Sequence, residues 1–109
     1  MSINDLVKEE AQRQIDLAIE TLPEHTSKFS TPIAQARLQY ENITDFLLGY
    51  EYGHMIEACT LYYKVQAEQS GRQVTEAEMR QVINDISSVI LDRLPEIRQV
   101  ILRAVRSFQ

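Results

Sequence analysis

The chain has 109 residues, 44% of them hydrophobic and 25% charged, with three Gly, three Pro, one Cys and a net charge of −5. That size and balance fit one globular domain rather than a disordered chain, and so few Gly and Pro leave little turn chemistry for a many-stranded β fold. The acidic charge argues against nucleic acid or an anionic membrane as partner, and no apolar run of about 18 residues offers a membrane span.

The first apolar series, Ile3, Leu6, Val7, Ala11, Ile15, Ala18, Ile19 and Leu22, recurs every three or four residues and predicts a helix over about Ile3–Leu22. Ser2 or Asn4 is its expected cap, and Asp5, Glu9 and Glu10 lie near its positive end. Met-Ser-Ile-Asn-Asp-Leu has no basic segment before an apolar run, so no secretory leader is expected. Pro23 is the expected stop, and residues 23–31, which are polar and aperiodic, form the expected loop.

Ser30 or Thr31 caps the next helix, with Pro32 in its first turn. Ile33, Ala36, Tyr40, Ile43, Leu47, Tyr50, His54, Ala58, Leu61 and Val65 keep helical spacing, which predicts one long helix from Pro32 to about Gln69. At 1.5 Å per residue it would be roughly 55 Å long. Ser70-Gly71 is its natural end. Gly49 and Gly53 lie inside it and offer a point at which to kink.

Thr75-Glu76-Ala77-Glu78 fits a capping box, with Val74 placed to staple onto Met79. Met79, Val82, Ile83, Ile86, Val89, Ile90 and Leu94 form the next stripe, which Ile97, Val100, Ile101, Ala104 and Val105 continue beyond Pro95. Both one kinked helix and two helices meeting at Leu94-Pro95 satisfy this pattern. Strict alternation never persists over five residues, so no strand is expected. The predicted fold is all-α: an antiparallel hairpin of two long helices, a shorter N-terminal helix along part of it, and self-association to cover the remaining apolar stripe.

Glu51-Tyr52-Gly53-His54 places a carboxylate and an imidazole on one helical face. This E-x-x-H resembles half of the site in ferritin-like di-iron bundles. The resemblance covers four residues and implies an iron or zinc site, with Glu57 one turn further on and Glu20 and Glu41 as carboxylates from elsewhere. The chain holds a single such motif, so the implied site is completed across a symmetric dimer. The other reading of the same residues packs His54 at the core edge and leaves Glu51 and Glu57 solvated.

Gly49-x-x-x-Gly53 is a small-residue spacing that lets two helix backbones approach closely, and a tolerated pair of glycines or a kink explains it equally. Gly53–Glu68 resembles the second helix of a tetratricopeptide repeat, with Ala58 and Tyr62 at that family's small and aromatic positions. No 34-residue period recurs, and an ordinary amphipathic helix accounts for the same residues. Tyr40 and Tyr50 share the core stripe, whereas Tyr52 and Tyr63 face elsewhere and are expected at a protein interface.

Residues 93–109 carry four Arg against one Glu, whereas residues 1–92 carry seven Lys or Arg against fifteen Asp or Glu. Arg93, Arg98, Arg103 and Arg106 complement the helix dipole and can pair with the acidic first helix, or form a basic face for an acidic partner or a phosphate backbone. Cys59 allows no internal disulfide, which fits a reducing, cytoplasmic setting, and it lacks a cationic neighbour to activate it. No catalytic residues are nominated. The expected function is a non-enzymatic protein–protein interaction module, an adaptor, scaffold or regulatory subunit, acting as a homo-oligomer. A metal-binding ferritin-like assembly is the alternative.

Overall fold

The computed structural model describes residues 3–107. Among them it has five helices and no strand: α1 (Ile3–Phe29), α2 (Pro32–Leu38), α3 (Ile43–Gln69), α4 (Glu76–Asp92) and α5 (Leu94–Arg106). The fold is all-α, and no helix among the described residues is long and apolar enough to cross a membrane. Ser2, offered above as a cap, lies outside the described residues.

The expected stop at Pro23 does not occur. α1 runs through it, and the buried series Val7, Ala11, Ile15, Ala18 and Leu22 continues to Thr26. Proline inside a helix forfeits one backbone hydrogen bond and costs about 3 kcal/mol. Packing beyond it offsets that cost. Thr26 is fully buried and donates its hydroxyl to the Leu22 carbonyl at 2.8 Å. Phe29 meets Phe46 and Tyr50 edge-on, at centroid distances of 5.3 and 5.0 Å. Of the loop expected over 23–31, only Ser30 and Thr31 are non-helical.

The expected long helix from Pro32 is two helices. Gln39 turns into the left-handed region (φ 55°) and ends α2, and the Asn42 side chain accepts from the Asp45 N–H at 3.2 Å and starts α3. The Tyr40 hydroxyl, between them, donates to the Phe29 carbonyl at the end of α1. α3 passes Gly49 and Gly53 without interruption. It ends as expected at Ser70-Gly71: Gly71 (φ 70°) lets Arg72 N–H bond Ala67 O and Gly71 N–H bond Glu68 O, which satisfies the last carbonyls.

Thr75 caps α4, its hydroxyl oxygen accepting from the Glu78 N–H at 3.1 Å. The Glu78 carboxylate does not close the box. It takes the Arg72 guanidinium instead. At Pro95 the chain breaks into two helices, with Pro95 in the first turn of α5, where its missing N–H is not needed. Arg93 fixes this corner to α1 by donating to Gln12 and Asp16.

α1 is not the short, partial partner expected. It is 27 residues long, as is α3, and it packs against all four other helices. Phe29 meets Phe46 at one end and His25 pairs with Glu51 nearby, so α1 and α3 run antiparallel. α4 runs antiparallel to α3, with Tyr52 Oη hydrogen-bonded to Ser87 Oγ, and packs against α1 as well. Facing three helices explains the buried series of α3: Leu47, Glu51, Met55, Cys59, Tyr63 and Ala67 recur every four residues, so the buried line winds around the helix. Ile33, Leu61 and Val65, read above as core, are exposed by 69%, 62% and 40%.

Because α1 already continues past Pro23, Pro23→Ala restores a donor without asking for new structure. It is expected to raise the unfolding free energy by about 1–3 kcal/mol, read from urea denaturation. An unchanged or lowered midpoint would show that α1 is broken there.

Candidate functional site

The most unusual group in the core is Glu51. It lies in the third turn of α3 and is 1% exposed, although an isolated carboxylate is costly to bury. Its Oε1 accepts from Nδ1 of His25, whose side chain is 25% exposed. His25 sits two residues beyond Pro23, so the helical continuation of α1 is what delivers this partner. Glu51 Oε2 is buried and accepts no hydrogen bond from any described residue.

Aromatic rings surround the pair. Tyr50 meets His25 edge-on at 5.4 Å and stacks on His54 at 6.2 Å. It also stacks on Phe46 at 6.4 Å, and Phe46 stacks on Tyr40 at 5.1 Å. Tyr50 is thus 36% exposed, at the rim of a ring cluster rather than in the core. Such pairs contribute about 0.5–1.5 kcal/mol each beyond burial.

Glu51, His25 and His54 line one cavity of about 120 Å³ between α1 and α3, together with Gln14, Leu17, Ala18, Thr21 and Met55. The E-x-x-H residues therefore do face one space, but the imidazole bonded to Glu51 is His25, not His54. Glu51 is not solvated, as one reading above had it. Glu20, Glu41 and Glu57 are exposed and do not line the cavity. Among the described residues no group of three or more His, Cys, Asp or Glu is arranged to hold a metal ion.

The expected interface tyrosines separate. Tyr63 is 1% exposed, which corrects its placement at the surface; Arg72 donates to its hydroxyl at 3.2 Å. Tyr52 is half-buried and borders a shallow apolar groove of about 320 Å³ with Asp45, Leu48, Gly49, Leu91 and Leu94. Gly49 and Gly53 are exposed, and a methyl built on either would meet nothing within 4 Å. No close approach among the described residues requires these glycines.

Cys59 is fully buried, as expected of a core residue. Burial pushes its thiol from the ordinary 9.0 up to about 11, reinforced by the charge on Glu10 and opposed by Arg13. Arg13 in turn holds the Glu10 carboxyl below the usual carboxylate range against the effect of burial, and Gln14 adds to it. Arg98, Arg103 and Arg106 are exposed, and none enters an ion pair among the described residues. The pairing expected between the basic tail and α1 is made by Arg93 alone of the four.

Searches against models of known protein families, curated proteins and solved structures found no match to the chain.

Removing one partner of a buried pair strands the other. His25→Ala is expected to destabilise the fold by about 3–5 kcal/mol in urea melts, and the double variant His25→Ala/Glu51→Met to recover most of the loss. A small cost for the single variant would mean that Glu51 finds water when His25 is gone. The Cys59 thiol gives a second check. Its stabilisation is complete below pH 9 and lost as pH rises through about 11, because the folded chain favours the neutral thiol. Labelling by a disulfide reagent at pH 8 is expected to be slow in the native protein and fast in denaturant; equal rates would place Cys59 at the surface.

Proposed function

We propose that the protein is a non-enzymatic helical interaction module that self-associates and engages another protein through apolar surface its own fold leaves uncovered. The observation that carries this reading is α2. It is a fully capped helix: the Thr31 side chain accepts from Ala34 N–H, Pro32 occupies its first turn and Gln39 closes it in the left-handed region. Yet none of its residues is buried, and Ile33 and Leu38 are exposed by 69% and 45%. A seven-residue helix gains little from its own hydrogen bonds in water. Burying a side chain such as Ile or Leu against a partner contributes about 1.5–3 kcal/mol.

Other features agree. Leu61 and Val65 lie on the outer face of α3, and Leu91 borders the groove beside Tyr52 and Gly49. The open space over Gly49 and Gly53 admits a helix backbone from outside the chain. The partner is a protein rather than a polyanion, given a net charge of −5.

Light scattering on a sizing column tests the reading. The wild type is expected to run as a dimer or larger at micromolar concentration, and Ile33→Glu/Leu38→Glu to shift it to the monomer with unchanged far-UV circular dichroism. A wild-type monomer, or an assembly indifferent to both substitutions, would contradict it.

A further inference from the structure

We infer that the cavity between α1 and α3 binds a primary ammonium group carried on a short alkyl stem, with Glu51 as its counter-charge. The cavity lies within one chain and does not depend on self-association. Three observations lead there. First, the polar lining offers acceptors more than donors. Thr21 donates its hydroxyl to the Leu17 carbonyl at 2.9 Å, which leaves its oxygen lone pairs. Gln14 commits an N–H to Glu10 at 3.0 Å, and its Oε1 remains an acceptor. His25 Nδ1 donates to Glu51 Oε1, because a carboxylate only accepts.

Second, Glu51 Oε2 is buried and unpartnered on this same lining. The lining thus carries a carboxylate with one oxygen that lacks a donor. An ammonium group brings three donors and the matching charge. Third, the remaining walls are apolar, from Leu17, Ala18 and Met55, and the rim at Leu17 and His54 is open to solvent. A volume of about 120 Å³ suits an ammonium head with a few methylenes. A metal ion fits less well, since no set of three ligands converges.

The chemistry could come from a free alkylamine or from a lysine side chain, and the test separates them. Methyl resonances of Ala18 and Met55 would be followed by NMR in titrations with n-butylammonium chloride, Nα-acetyl-lysine amide and, as control, tetramethylammonium chloride, which has no N–H. Saturable shifts are expected with the first two and none with the third. Tighter binding of butylammonium would assign a free amine, and tighter binding of the lysine amide a protein side chain. Affinity is expected to fall at least tenfold in Glu51→Gln. If Glu51→Gln does not fold, Thr21→Val carries the test, with an expected loss of about threefold and the buried charge intact. A response equal to that of tetramethylammonium, affinity unchanged in the folded variants, or no saturation would overturn the assignment, leaving a cavity that holds water. Stoichiometric zinc uptake through Glu51 would overturn it as well.

Discussion

The antiparallel seam of α1 against α3 is the constraint on which the rest of the molecule depends. Its far end crosses Pro23, a residue that by itself favours ending the helix. Three kinds of interaction beyond the proline hold the helix together: the buried His25–Glu51 bond, the rings of Phe29, Phe46 and Tyr50, and the Thr26 hydroxyl bonded back to Leu22. Remove this anchoring and the last two turns of α1 lose the contacts that hold them against α3. The cavity beside Glu51 would lose one wall, and α2 would lose the helix from which it is suspended.

Local chemistry was legible in the sequence wherever neighbours in the chain decide the structure. Thr75 and Glu78 announced the start of α4, Ser70-Gly71 the end of α3, and Pro95 a discontinuity, because each effect involves backbone groups a few residues apart. The Asn42–Asp45 cap carried the same kind of signal, since Asn followed three residues later by an acidic residue marks a helix start. It was outweighed by an apolar spacing that ran unbroken from Ile33 to Val65. That spacing was illegible for a physical reason. α3 touches three helices, so apolar residues occur around much of its circumference and periodicity cannot choose among faces. The continuation of α1 past Pro23 is not legible locally, because the bond that helps compensate it joins His25 to Glu51, 26 residues further along the chain, a separation no local pattern encodes.

The same limit applies to the site. The E-x-x-H spacing pointed to Glu51, and Glu51 is indeed the unusual group. Its imidazole partner comes from another helix, and His54 turns to the rim, stacked on Tyr50. The core thus contains two buried carboxylates, Glu10 paired with Arg13 and Glu51 with one oxygen unpartnered, one thiol and a set of apolar chains. The surface contains the unmatched features: a short helix that buries nothing, an open glycine pair, and three arginines at the C-terminal end without ion partners among the described residues. Among the described residues the buried side chains are thus satisfied except at one carboxylate oxygen, and apolar surplus lies outside.

Amide hydrogen exchange of residues 24–29 tests the central claim most directly, because protection there exists only if the seam holds α1 helical beyond Pro23. Protection comparable to that of the facing turns of α3, around Phe46 to Tyr50, is expected. Exchange at the rate of an unstructured peptide would show that α1 ends at Pro23, that His25 does not reach Glu51, and that the cavity between the two helices has no closed wall.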